Sequence, residues 1–404
     1  MLITGCINKS KDENSIVLSD KTKFISQRQL HEKAFGNFNF KNEQQWDSLK
    51  NISFEKVIYR TGKVDTTIRT FGWHIYSNGS SWRNYNFPML WGLSYFSYAI
   101  QPETGNYKSI HQWKTTALID SAKANDCKVF LSVSNFGSKN NSIFLENLKG
   151  QRTLIDSLSS LLAFRDANGI NIDFEGVSKK NKKDFTNFIL EVSKKLKQVN
   201  PEYMISLCLY AEDWNNIFDI KTIDSYVDFY TLMGYDYYGE FSKTTGPVTP
   251  LKKSVKFGNG LETSVNTYQN EGVHLDKLII GLPYYGVEWY TRSSEIGAIV
   301  TRFKSHPPYK SIREYYIDSL SIPLQFDLKS SSSYLLIEDS TNHYRQLFFE
   351  DVKSLSTKYD WIKNNKIGGV GIWALGYDNG YPELWNLLTE KFSQRQNTTL
   401  YNNE

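Results

Sequence analysis

The chain predicts a (β/α)8 barrel, on three observations. Eight apolar, strand-like runs recur between residues 70 and 374. Helical patterns lie between several of them, which implies a parallel sheet covered by helices. The turn after the first run, Ser77-Asn78-Gly79-Ser80-Ser81, is not the glycine-rich phosphate turn of an open doubly wound sheet.

In chain order, residues 1–66 are polar and rich in Lys, Asn and Ser. They read as a leader and linker, with 8–23 as plain linker, a short helix at 27–34 and a strand at 52–59. The predicted barrel strands are 70–76, 90–100, 128–133, 170–175, 204–210, 227–235, 278–284 and 369–374. Predicted helices cover 110–125, 154–166, 183–199 and 352–365. Residues 287–349 are too long for one loop in a compact domain. They predict a small α+β insertion between strands 7 and 8, with helical pieces at 296–304 and 312–320 and strands at 324–328 and 334–338. The barrel unit spans 67–395, and 396–404 is a polar tail.

The stretch that carries chemistry is Asn168-Gly169-Ile170-Asn171-Ile172-Asp173-Phe174-Glu175. Side chains alternate across a strand, so Asn171, Asp173 and Glu175 share one face and Ile170, Ile172 and Phe174 the other. In a sheet buried on both faces, such a polar column is costly unless it is hydrogen-bonded or used. A solvated edge strand with ordinary surface acids is the plainer alternative. Barrel enzymes place their chemistry at the C-terminal ends of strands. There the other runs offer Trp73 and Tyr76, Ser132 with Ser134 and Asn135, Tyr210, Met233 with Tyr235, Asp236 and Tyr237, Tyr284 with Tyr285, and Trp373. Carboxyls, tyrosines and tryptophans converge, a pattern that suits a sugar.

Composition agrees. The 26 Tyr and 10 Trp provide rings that stack on pyranose faces and polar tips that find partners. A formal charge of +4 on 404 residues gives no footprint for nucleic acid. No run of about 18 apolar residues predicts a membrane span. Six scattered His show no metal-ligand spacing, so neither metal nor cofactor is expected. Cys127 and Cys208 read as buried thiols. Ile3-Thr4-Gly5-Cys6 resembles a bacterial lipobox, although only five residues precede the Cys. Lipidation at Cys6, and with it membrane attachment at a bacterial envelope, is one expectation; secretion is the other. A monomer is expected.

Several segments together resemble family-18 glycoside hydrolases. NGINIDFE is similar to the family's fourth-strand DGxDxDxE signature. LSVSNFG resembles its third strand, LMGYDYYG its sixth (with GPVTPL after it), IIGLPYYG its seventh and GGVGIWALG its eighth. FEDVKSLSTK and WALG look most like the branch related to spore-cortex and cell-wall N-acetylglucosaminidases. The resemblance covers residues 67–392 and implies a TIM barrel that cleaves glycans containing N-acetylglucosamine. It also implies substrate-assisted catalysis, in which the sugar's 2-acetamido group replaces an enzyme nucleophile. On that reading Glu175 is the general acid, Asp173 steadies the acetamido group and Tyr235 bonds its carbonyl. Asp236, Met233, Trp373, Asn171, Ser132, Trp73, Tyr237 and Tyr284 line the sugar site, with Trp373 as its floor. Asn168 and Asn171 stand where the family has acids. An amide at 171 is expected to bond Asp173 while removing a like charge.

The resemblance leaves the polymer open: chitin, chitooligosaccharides, peptidoglycan or an N-glycan core. A lectin-like barrel without catalysis is a different class of reading, as is an envelope protein with the fold alone. Members of the lectin kind typically lose the acid, and Glu175 is present.

Overall fold

The computed structural model describes residues 25–52, 56–338 and 344–394. Cys6, the 8–23 linker and the 396–404 tail lie outside them. Eight parallel strands close into a barrel: Arg69–Ile75, Gly92–Ile100, Lys128–Phe136, Gly169–Glu175, Met204–Leu209, Phe229–Met233, Leu278–Pro283 and Gly369–Trp373. The first strand pairs with both the second and the eighth, which closes the ring. Each of the eight coincides with a predicted run to within a few residues. Their cores are Val-, Ile-, Leu- and Phe-rich because helices and barrel interior bury both faces.

The barrel floor is aromatic. Phe71, Phe130 and Phe229 meet at ring separations of 5.4–5.7 Å. One layer higher the interior turns polar. Register pairs Ser132 with Asn171 and Asn171 with Ser206, so these three form one row. Trp73 fills the space above the floor. Gly371 makes room for it, since a Cβ there would sit 2.9 Å from the indole ring. Next come Ser134 and Asp173, paired in register, and the strand tip at Glu175.

Outside, the Lys182–Val199 helix buries Phe185, Phe188, Ile189, Val192 and Leu196 at helical spacing. Phe185 and Phe188 stack on Phe174, the outward residue of the fourth strand, at 5.6 and 5.3 Å. This wedge holds the back of the strand whose front carries the acids.

Three expectations change. The helix predicted over 110–125 is reduced to Leu118–Lys123. Upstream, His111 takes φ 47°, and the Trp113 indole is tied to the Leu161 carbonyl at 3.2 Å, so tertiary anchors hold a turn there. The 296–304 helix is instead a strand, Val300–Ser305, paired antiparallel with Gly286–Thr291. Gly297 at φ 79° interrupts any helix, and the open sheet edge captures the β-branched start of the run. The 52–59 strand is absent among the described residues there. The insertion is α+β as expected, but its core is a five-stranded antiparallel sheet that includes Gly286–Thr291 and Tyr344–Phe349, both unforeseen.

The segment read as linker contributes two helices, Gln27–Phe35 and Glu43–Lys50. The first matches the predicted short helix; the second was not predicted. Trp46 is buried against Phe35, Phe38, Phe40 and Tyr76. The Asp47 carboxylate accepts from the Ser80 amide and hydroxyl, both at 2.7 Å, pinning the segment to the loop after the first barrel strand. Both helices therefore lie over the C-terminal mouth of the barrel. No helix among the described residues is long and apolar enough to cross a membrane.

A buried pair ties the insertion to the helix before the eighth strand. Lys358 Nζ bonds Glu350 Oε2 and the Ser331 carbonyl, each at 2.7 Å, with both side chains fully buried. Burial pushes Glu350 up to about 7 and Lys358 below its ordinary value, so each needs the other's hydrogen bond. Glu350→Ala leaves the lysine buried without its partner and is expected to cost about 3–5 kcal/mol of stability, read by urea unfolding.

Candidate functional site

Glu175 ends the fourth strand, and its position is set by its backbone. Its carbonyl accepts from Gly137 N at 2.9 Å and Asn141 Nδ2 at 2.7 Å, both from the segment after the third strand. The carboxyl is buried, and Oε1 has no hydrogen-bond partner among the described residues. Burial first, then neighbouring Asp173, raise its pKa to about 8, against the lowering pull of Arg28 and a Ser26 hydrogen bond. The shift favours the protonated carboxylic acid at neutral pH.

Asp173 is fully buried one step down the same face. Neither of its oxygens makes an aligned hydrogen bond among the described residues. Its compensation is an ion pair, with Arg28 Nη1 2.6 Å from Oδ2. Tyr235 follows the sixth strand, with its ring 6.4 Å from Trp373 in a stacked orientation. Asp236 takes φ 59°, an uncommon value for a non-glycine residue that turns its carboxyl into the site. It accepts the Tyr285 hydroxyl at 2.5 Å and the Gln27 amide at 2.8 Å. Burial pushes Asp236 up to about 6, and both hydrogen bonds oppose this.

Trp373, at the end of the eighth strand, is fully buried and meets Trp73 at 6.0 Å and Phe96 at 5.4 Å. Met233, Tyr235, Asp236, Tyr237 and Glu175 line one cavity of about 210 Å³, together with Tyr210 and Trp214. Tyr237 is held there by a 2.6 Å bond to Ser264. A second cavity, about 710 Å³, opens on the other side, between the N-terminal helices and the insertion.

Other predicted residues sit beneath the mouth or behind it. Trp73 donates its indole N–H to Asn171 Oδ1 at 2.8 Å, and the Asn171 amide donates to Ser206 and Thr231. The expected Asn171–Asp173 hydrogen bond is not formed, because the amide's capacity is spent within its own layer. Ser132 is fully buried and bonds Ser94 at 2.7 Å. Tyr284 points its hydroxyl at Tyr359, 3.2 Å away, and it is the next residue, Tyr285, that reaches Asp236. The chain bends at Tyr284, just past the strand, and Tyr285 bridges to Pro308, so the two hydroxyls reach different partners. Ser26, Gln27, Arg28 and Gln29 are the contributors sequence reasoning missed. No group of three or more His, Cys, Asp or Glu among the described residues is placed to hold a metal.

Buried acids two residues apart at a barrel mouth, with Tyr235, Asp236 and Trp373 beside them, form a glycoside-hydrolase type of site. Comparison with known proteins agrees. The profile of "Glycosyl hydrolases family 18" matches residues 70–378, and the chain belongs to that family of glycosidases. It is 26% identical over 282 residues to an uncharacterized glycosylase, YvbX, of Bacillus subtilis, covering 66% of this chain and 76% of that one. It is 22% identical over 321 residues to the cortical fragment-lytic enzyme of Bacillus anthracis, covering 76% and 69%. A solved family-18 N-acetylglucosaminidase from Paenibacillus barengoltzii superposes with a TM-score of 0.70 at 18% identity, covering 80% of this chain and all of that one, a likeness of fold.

Tyr285→Phe removes a hydrogen bond that holds Asp236 down, so Asp236 is expected to titrate above about 6 in the variant. A carboxyl-carbon NMR titration reads the shift directly.

Proposed function

We propose that the chain is a retaining glycosidase that cleaves β-1,4 linkages of N-acetylglucosamine glycans, chitin or chitooligosaccharides first, through an oxazolinium intermediate. The observation that carries this reading is the burial of Glu175 and Asp173 two residues apart on one strand face at the barrel mouth, beside Tyr235, Asp236 and Trp373. On this reading Glu175 protonates the glycosidic oxygen as the bond breaks. The substrate's acetamido oxygen attacks the anomeric carbon, and Asp173 takes the acetamido N–H and balances the positive charge that develops. Tyr235 donates to the acetamido carbonyl, and Asp236 and Met233 border the same sugar. The distorted ring lies over Trp373. Glu175, now ionised, takes a proton from the incoming water, returning to its acid form with net retention.

Asn171, Ser132 and Trp73 act on this reading by holding the layer beneath Asp173 rather than by touching sugar. Likeness to a cortical fragment-lytic enzyme supports a second substrate, peptidoglycan, and with it a place outside the cytoplasm, where such polymers lie.

Product release from a chitin oligosaccharide and from purified peptidoglycan, side by side, tests the assignment. Glu175→Gln is expected to lower kcat by about 10²–10⁴-fold while oligosaccharide binding persists. Wild-type kcat/KM should fall as pH rises through about 8, because Glu175 of the free chain is protonated below that value and deprotonation removes the acid. Turnover unchanged in the variant means the acid lies elsewhere. An α-anomer as the first product from a β-linked substrate rules out retention.

A further inference from the structure

The N-terminal helix does more than cover the barrel mouth. Its first turn fills the space between the acids and the Trp floor. Ser26 donates its hydroxyl to Glu175 Oε2, and Gln29 Nε2 reaches the same oxygen at 3.1 Å. Gln27 donates its amide to Asp236 Oδ2, accepts the Trp373 indole N–H at 2.5 Å, and donates to the Tyr377 hydroxyl at 3.1 Å. Arg28 is fully buried. Its guanidinium lies 4.1 Å from the centre of the Trp373 ring, pairs with Asp173, and donates twice to the Tyr235 hydroxyl, at 3.0 and 2.6 Å. Four consecutive residues thus take up the polar groups of Glu175, Asp173, Tyr235, Asp236 and Trp373 at once.

We propose that residues 26–29 form a built-in competitive inhibitor, with Arg28 seated where a glycan's reacting sugar would lie. This rests on the proposed function for what it mimics. The intermediate in that reading is a flat, delocalised cation above an aromatic floor and beside a carboxylate. A guanidinium is also flat and delocalised, stacks on aromatic faces and pairs with carboxylates. A site shaped to stabilise the developing cation holds such a group better than it holds a neutral sugar. Geometry supports the same conclusion. Ser26 borders the 210 Å³ cavity and Gln27 the 710 Å³ cavity, so the segment is the partition between them. With it withdrawn, the two join into one groove past Glu175. Asp47 and Trp46 anchor the second helix, whereas residues 37, 39, 41 and 42 between the helices are exposed and provide slack for withdrawal of the first.

A segment that is seated most of the time raises the apparent KM in inverse proportion to the open fraction. In the full chain, Arg28→Ala is expected to raise kcat/KM on chitotetraose at least about tenfold, chiefly through KM. A second form keeps Arg28: a protease site inserted at residues 37–41 and cut after folding, which should give the same rise. Hydrogen exchange supplies a readout without turnover. Amides of 28–35 should be protected in the wild type, and lose protection in Arg28→Ala and on adding chitotetraose to the wild type. Wild-type kcat/KM equal to both altered forms, with 28–35 unprotected, overturns the proposal. Protection lost in Arg28→Ala, but no hydrolysis or binding of chitotetraose by any form, keeps the inhibitor and overturns the glycan assignment instead.

Discussion

The structure is organised around the cost of burying carboxyls at the barrel mouth. Asp173 is fully buried and Glu175 nearly so, on one face of one strand, and charge on both is opposed by desolvation and mutual repulsion. Two different solutions are present side by side. At Glu175 burial and Asp173 raise the pKa, which favours the neutral acid. Asp173 is met by a cation, Arg28, at 2.6 Å. Any ligand that displaces Arg28 must offer Asp173 donors or positive charge in return. In the proposed reaction, an acetamido N–H beside a growing oxazolinium would offer both.

The layer below makes this arrangement rigid. Asn171 replaces a third potential charge with an amide whose donors and acceptor are taken by Trp73, Ser206, Thr231 and the Cys208 thiol. A satisfied polar layer between an aromatic floor and a charged mouth lets the fourth strand carry acids upward without leaving unpaired groups inside. Behind it, Phe174 packed between Phe185 and Phe188 prevents the strand from slipping. A one-residue slip would turn the acids to the outside.

The insertion and the N-terminal helices wall the mouth from opposite sides. Both are built from locally weak signals. The insertion's sheet depends on pairing of distant strands, and its own buried charge, Glu288, is met by Lys304, Arg345 and Tyr316. The N-terminal helices are held by Trp46 among aromatic rings and by Asp47 at the Ser80 loop. Their contribution to the site comes from residues whose local sequence is that of a polar tether.

Legibility from sequence followed the range of the forces involved. The eight barrel strands and the Asp173–Glu175 face were readable because alternation and burial leave a periodic, local record; Tyr235, Asp236 and Trp373 were read from the resemblance of their segments to the family's motifs. The helix over 110–125 and the 296–304 piece were misread because anchors distant in sequence outweighed local propensity there. Tyr284 was chosen over Tyr285 because the bend just past the strand, which sends the two hydroxyls to different partners, leaves no mark in the sequence. Arg28 left no local mark, since a buried ion pair across 145 positions has no periodicity. Sequence alone therefore determined the barrel and the family, and set Asp173 and Glu175 on one face of the fourth strand. Tertiary structure decided what those acids face: a cation from the chain's own beginning, brought there because buried carboxylate demands a partner and the folded N-terminal helix supplies one.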